Sequence, residues 1–112
     1  TDRIFNLARF NLMKNSAYFI NVGRGKVCSL DDLCTALEQK KIAGAGLDVY
    51  EIEPLPENHK LWDLDNVILT PHVAVKGVEN INERRYQILS TNINNFIKGD
   101  TLMNIVDKEK WY

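Results

Sequence analysis

Three short stretches of this chain carry residues whose types could do chemistry together: Gly23-Arg24-Gly25, the acidic run holding Asp48, Glu51 and Glu53, and Pro71-His72. A guanidinium is a rigid fork that matches a carboxylate through two parallel hydrogen bonds, and flanking glycines let a ligand approach closely. A histidine titrates near neutral pH and can trade a proton with a hydroxyl or carbonyl oxygen. A carboxylate beside it would hold the ring and favour its protonated form. Arg24, Glu53 and His72 together describe a site for an anionic 2-oxo or 2-hydroxy acid that needs a proton moved, a task that requires no metal. Taken singly, each has an ordinary explanation: Arg24 a surface ion pair, Glu53 one acid of a solvated loop with Glu51 as its rival, Asp48 a turn cap, His72 a structural or exposed strand-end residue.

The elements that must position these residues follow from the apolar pattern. Residues 17–22 form a nearly continuous apolar run rich in β-formers, the pattern of a strand buried on both faces. Ser29, with Asp32 three residues on, caps a helix over about 30–40, where Leu30, Leu33, Cys34 and Leu37 fall at helical spacing and Lys40-Lys41 sit near the negative end of the helix dipole. Ala43–Tyr50 is a small-residue strand whose glycines permit close packing. Residues 51–65 read as a loop with a short helical turn, and 66–70 as a third strand stopped by Pro71. Strand, helix, strand, loop, strand predicts an α/β fold with a parallel sheet and right-handed crossovers. In such a sheet ligands bind beyond the carboxyl ends of the strands. Arg24 follows the first strand, Asp48 and Glu53 the second, His72 the third, so three strands deliver capable side chains to one edge.

A long helix over about 78–98 follows, with Ile81, Arg85, Ile88, Leu89, Ile93, Phe96 and Ile97 as a stripe expected in the core, or in part at a subunit interface, and Gly99 as its cap. The tail 102–106 reads as an extended segment packing elsewhere. His59 has no motif and reads as a surface residue, and Trp62 as a packing anchor.

Bulk composition narrows the class. The chain has 112 residues, 45% apolar and 26% charged, with net charge −1. That balance speaks against a nucleic-acid or membrane-surface binder, which would need a basic excess. No apolar run approaches the ~20 residues needed to span a bilayer, and no signal peptide opens the chain. Cys28 and Cys34 form no CxxC pair and read as buried reduced thiols, which suits the cytoplasm. The opening Thr1-Asp2-Arg3, without an initiator Met, suits trimming or a piece of something larger.

Asn21-Val22-Gly23-Arg24-Gly25 resembles the N-x-x-R-G element of the D-2-hydroxyacid dehydrogenases. Leu47-Asp48-Val49-Tyr50-Glu51-Ile52-Glu53-Pro54 resembles their L-D-V-[FY]-x-x-E-P element, and Leu69-Thr70-Pro71-His72-Val73-Ala74 their T-P-H element. The likeness covers nearly the whole chain, with mild departures at Gly23, where Ala or Ser is usual, and Ser29, where an acid is common. It implies that Arg24 binds the substrate carboxylate, that His72 is the general acid in reduction and base in oxidation, and that Glu53 pairs with His72. It further implies that Asp48 contacts the nicotinamide carboxamide of NAD or NADP, with Val22 and Gly23 lining the ring and Arg24 and His72 beside it. The full-length protein it implies is a homodimer acting on a small 2-oxo or 2-hydroxy acid.

One element of that resemblance is missing. A dinucleotide enzyme carries G-x-G-x-x-G after its first strand and an acid about 20 residues later. Here Gly23-Arg24-Gly25 has Cys28 in place of the third glycine, and Gly44 and Gly46 are followed by Val49. The chain therefore reads as the second half of a Rossmann-like dinucleotide-binding domain, residues 1–77, plus a crossover helix and tail, 78–112, returning towards a substrate domain. Two other readings stay open: a non-enzymatic nucleotide-sensing module of the same fold, and a structural fragment that alone binds NADH weakly or not at all.

Overall fold

A computed structural model describes residues 1–109 and divides them into two compact units, Thr1–Ala74 and a second beginning at Val75. The first is built on three parallel strands, β1 (Tyr18–Asn21), β2 (Gly44–Leu47) and β3 (Val67–Leu69), in that spatial order. Asn21 pairs with Leu47 and Leu47 with Leu69, so the three carboxyl ends leave the sheet side by side. The expected α/β fold with a parallel sheet is what the chain forms. Gly44 shows why small residues fill β2: a Cβ there would stand 2.6 Å from the Asn66 carbonyl oxygen, against the neighbouring strand.

Helix α2 (Leu30–Glu38) covers one face of the sheet. Ser29 caps it as expected, its hydroxyl accepting from the Asp32 amide at 3.4 Å. The helix closes before the two lysines. Lys40 takes the left-handed conformation (φ 52°), and the Lys40 and Lys41 amides donate to the carbonyls of Leu37 and Ala36. This is the hydrogen-bond pattern that usually recruits glycine. Leu30, Leu33, Cys34 and Leu37 pack with Phe10, Phe19, Leu47 and Leu61 in a single core. Phe10 and Phe19 meet edge to face with ring centroids 5.3 Å apart, the arrangement favoured by ring quadrupoles.

The N-terminal segment is part of this unit. Arg3 and Phe5 donate their amides to the carbonyls of Lys26 and Val27, and Ser29 donates to Phe5. A one-turn helix α1 (Leu7–Phe10) follows, its first amide accepted by Asp32 of α2 at 3.1 Å. Cys28 and Cys34 are free and buried, as expected.

Two burial expectations fail. β1 is covered on one face only: Phe19 and Asn21 are buried while Tyr18, Ile20 and Val22 are exposed, and Ile68 of β3 is exposed with them. A continuous apolar run predicts two covered faces, but among the described residues of this unit α2 and its neighbours cover only one. The second miss is α3 (Ile81–Lys98) of the second unit, none of whose residues is buried. Leu89, Ile93, Phe96 and Ile97 of the expected core stripe are exposed, Phe96 at 77%. An apolar stripe records what a helix is meant to pack against, and the described residues do not supply it. α3 starts at Ile81 instead of about 78 and ends at Gly99, which takes the expected left-handed cap with φ 75°. The segment 102–106 forms no strand. It is held instead to α3, with the Met103 amide donating to the Asn92 side chain at 2.7 Å and that side chain donating back to the Met103 carbonyl at 3.1 Å.

Candidate active site

After β1, a side chain already committed to the fold shapes the turn. Asn21 is buried, its Oδ1 accepting from the Gly23 amide at 3.1 Å and its Nδ2 donating to the Arg24 carbonyl at 3.0 Å. This local bridge is the Asx-type hydrogen bonding that asparagine offers a turn. Gly25 then passes against the segment after β2, where any Cβ would overlap the Tyr50 carbonyl. The turn is fixed from both sides and Arg24 stands exposed. Its guanidinium donates to the Gly23 carbonyl at 2.8 Å and borders a depression of about 240 Å³ with Thr1, Asp2 and Lys26.

Glu53 and His72 meet. His72 Nδ1 lies 2.6 Å from Glu53 Oε2, with the side chains 50% and 36% exposed. An ionised carboxylate can only accept, so this pairing puts a proton on Nδ1 and leaves Nε2 as the nitrogen available to a substrate. The other Glu53 oxygen, Oε1, accepts from the Tyr50 amide at 3.0 Å. The bond to His72, and after it the one from Tyr50, hold the Glu53 carboxyl below its ordinary pKa. Both residues stand on the wall of a cavity of about 630 Å³ whose other walls include Tyr50, Leu55, Trp62 and Leu69. That volume lies in the usual range for small-molecule sites. Among the described residues, Arg24 makes no hydrogen bond to either, and it lines a different depression. The sheet brings all three candidate residues to one edge; side-chain contact joins only two.

Asp48 begins the loop after β2 and is buried, 3% exposed. Its Oδ1 accepts from the Thr70 hydroxyl at 2.6 Å and the Val73 amide at 2.8 Å, and its Oδ2 accepts from the Ala74 amide at 2.8 Å. These bonds, the Thr70 hydroxyl foremost, hold its carboxyl below the ordinary value against the opposing effect of desolvation. Its neighbour Tyr50 donates its hydroxyl to the Thr70 carbonyl at 2.8 Å, and burial beside Asp48 pushes the Tyr50 phenol up.

Several roles were not visible in the sequence. Glu51, the rival of Glu53, accepts from Arg3 Nε at 2.9 Å and from the Leu30 amide at 3.0 Å, tying the N-terminal segment to the first turn of α2. His59 is half-buried; its Nδ1 accepts from the Leu61 amide at 3.2 Å and caps the 3-10 turn Lys60–Asp63. Trp62 is not a buried anchor. It is 53% exposed, on the cavity wall, with its indole N–H donating to the Pro56 carbonyl at 2.9 Å. An indole whose N–H must find a partner is often left at a rim.

The residues present fit one end of a dinucleotide. Val22, Gly23 and Arg24 are exposed at the carboxyl end of β1, an apolar side chain and bare backbone accessible to a flat ring. Asp48 has three acceptor positions in use, out of about four on a carboxylate. The sequence contains no G-x-G-x-x-G to cradle a pyrophosphate.

Residues 1–74 match the family described as "D-isomer specific 2-hydroxyacid dehydrogenase, NAD binding domain". The chain is 41% identical over 109 residues to a glyoxylate reductase of Thermofilum pendens, covering 97% of this chain and 32% of that protein. Among solved structures it is similar to a D-isomer specific 2-hydroxyacid dehydrogenase of Xanthobacter autotrophicus in complex with NADPH and MES. The TM-score is 0.90 at 38% identity, covering 100% of this chain and 45% of that one. It is also similar to an NADPH-dependent glyoxylate/hydroxypyruvate reductase of Sinorhizobium meliloti in complex with NADP and sulfate. There the TM-score is 0.86 at 34% identity, covering 100% and 36%. The chain spans about a third of the length of the curated relatives it matches. It belongs to the D-isomer-specific 2-hydroxyacid dehydrogenase family and carries a Rossmann-like part of that family's NAD-binding domain.

Proposed function

We propose that the protein carrying this chain is an NAD(P)-dependent oxidoreductase that interconverts a small 2-oxo acid, such as glyoxylate or hydroxypyruvate, and its D-2-hydroxy acid. The observation that carries this reading is the 2.6 Å pairing of His72 with Glu53 at the carboxyl edge of a parallel sheet. When bound, the reduced nicotinamide supplies a hydride, so the protein must supply a proton and hold the substrate. His72 gives a proton from Nε2 to the carbonyl oxygen during reduction and takes it back from the hydroxyl during oxidation. Glu53 keeps the ring oriented through Nδ1 and stabilises the imidazolium. Arg24, exposed and free to turn from the Gly23 carbonyl, binds the substrate carboxylate. Val22 and Gly23 line the nicotinamide and Asp48 contacts its carboxamide.

In this reading residues 1–77 complete a dinucleotide-binding domain and 78–112 return towards a substrate domain. The full-length protein is a cytoplasmic homodimer, a setting that suits the two free, buried thiols. The 112 residues alone are inactive, because they lack the glycine loop and span a third of their relatives. The test is nicotinamide absorbance with glyoxylate or hydroxypyruvate and NADH or NADPH, using the full-length protein and its His72→Ala variant. The reading expects substrate-dependent oxidation that the variant loses; wild-type turnover by the variant would remove His72 from the chemistry.

A further inference from the structure

We propose that Asp48 is a positioning residue whose buried carboxylate fixes the turn carrying His72 and thereby sets the imidazole against Glu53. The proposal rests on the acid–base role given to His72 above, and it goes beyond the cofactor contact given to Asp48.

The argument starts from what a buried carboxylate requires. Taken from water, it is costly unless donors replace its hydration. Asp48 has three, and all lie in one short turn: the Thr70 hydroxyl two residues before His72, and the amides of Val73 and Ala74 just after it. His72 between them is held at φ 53°, a left-handed conformation uncommon for a residue with a side chain. Such a conformation persists where surrounding bonds over-determine it. Here the bonds converge on one carboxylate. The Thr70 amide is also tied to the Leu47 carbonyl at 2.9 Å, and the Tyr50 hydroxyl holds the Thr70 carbonyl, so the turn's first residue is anchored to the end of β2. Glu53 is fixed separately, through the Tyr50 amide. One partner of the dyad is therefore set by the loop after β2, and the other by a turn that Asp48 clasps from inside.

The acceptor set is specific to a carboxylate. An asparagine offers one oxygen and one NH₂, so Asp48→Asn would place donor against donor at one of the three positions. Thr70→Val removes the hydroxyl, with its 2.6 Å bond to Asp48 and its longer 3.4 Å contact to the Leu47 carbonyl, and leaves the carboxylate intact.

The experiment uses the full-length protein. Asp48→Asn is expected to lower kcat on the order of a hundredfold, the effect of misplacing a reacting group by about 1 Å. KM for the 2-oxo acid should stay near wild type; a rise in the fluorescence-measured dissociation constant for the nicotinamide cofactor is expected from the carboxamide contact given to Asp48 above, so kcat is measured at saturating cofactor. Thr70→Val should lower kcat in the same direction by roughly two- to tenfold, the worth of one hydrogen bond. In a His72→Gln background the Asp48→Asn penalty should vanish, because Asp48 acts through His72. A penalty that persists there, or one that appears in the cofactor dissociation constant with kcat unchanged, would overturn the proposal. Crystal structures of the two single variants decide the geometry whatever the turnover. The proposal expects the Nδ1 to Oε2 separation to open beyond roughly 3.5 Å in Asp48→Asn, past hydrogen-bond range, and a retained short contact would end it. Full activity in His72→Gln would instead refute the acid–base reading and leave that structural answer standing.

Discussion

His72 Nδ1 and Glu53 Oε2 are 2.6 Å apart although 19 residues separate them in the chain, and the second Glu53 oxygen is taken by the Tyr50 amide. The carboxylate thus has one oxygen for the fold and one for the imidazole. If this pair does the proton transfer, the two residues should fail by different amounts. Removing the imidazole in His72→Ala removes general acid–base catalysis and should cost about 10²- to 10⁴-fold in kcat. Glu53→Gln keeps a side-chain oxygen for either Tyr50 or His72 but loses the charge that stabilises an imidazolium, and should cost about tenfold to a hundredfold. Steady-state turnover of the full-length variants checks both. Equal losses would mean that Glu53 does more than support the ring.

The same bonds predict acid lability. Asp48 and Glu53 both have folded pKa values held below their ordinary values of 3.8 and 4.5. For a depressed carboxyl the stabilising contribution is complete above the ordinary pKa and disappears as pH falls through the lower folded one. The structure should therefore hold unchanged from neutrality down to about pH 5 and lose stability progressively below pH 4. Denaturant midpoints measured across that range give the answer, and Asp48→Asn should flatten the acid limb. A midpoint that begins to drop near pH 7 would point to a different group.

Gly23 and Gly25 flank the same arginine and should respond oppositely to alanine. A Cβ on Gly25 would collide with the backbone carbonyl of Tyr50, which has no flexible end to move aside. Gly25→Ala should cost roughly 3 kcal/mol or more, the upper end of overpacking. A Cβ on Gly23 would meet only the Asn21 Oδ1, at an ordinary 3.6 Å. Gly23→Ala should stay within about 0.5 kcal/mol of wild type. Thermal or denaturant unfolding distinguishes them.

How much of this was legible in the sequence differs by element. The three strands and α2 showed because their apolar periodicity and the Ser29 cap are local signals, written within a few residues. The delivery of Arg24, Asp48, Glu53 and His72 to one edge followed from parallel topology alone. What topology does not carry is side-chain direction: Arg24 turns back to its own neighbour's carbonyl, and Trp62 sits on a cavity wall instead of in the core. Nor does a sequence reveal convergence over distance. Asp48 meets donors 22 to 26 residues away, and Glu51 reaches back 48 residues to Arg3, and neither pairing leaves a periodic trace. The exposed faces of β1 and α3 mark a different limit, since a hydrophobic pattern says that a surface is to be covered without saying by what.

The two cysteines should be inert at neutral pH. Burial pushes the Cys28 thiol up to about 12, with Glu51 and Asp32 adding to the shift, and the Cys34 thiol up to about 11. The nucleophile is the thiolate, so both the protonation state and the packing oppose reaction. A thiol reagent should label neither in the folded protein and both after denaturation. Fast labelling of Cys28 in the native state would show that the segment holding it opens readily.

The uncovered sheet face sets the last expectation. Tyr18, Ile20 and Val22 of β1 and its end, together with Ile68 of β3, are exposed, and among the described residues β1 is an edge strand of the sheet. Apolar surface of this kind, beside an open edge, is a template for association. As an isolated chain the 112 residues should self-associate and bind NADH weakly or not at all. Ile20→Lys, which puts a charge on that face without touching the core under α2, should shift the population towards monomer in analytical ultracentrifugation. The double variant Ile20→Lys with Ile68→Lys should shift it further, because the two side chains lie on the same face of the sheet, on either side of Gly46 of β2. If both variants associate like the wild type, the sticking surface lies elsewhere, and the exposed side of α3 becomes the one to charge next. A monodisperse wild-type monomer that binds NADH tightly in calorimetry would show that this piece is self-sufficient, and the fragment reading would fall.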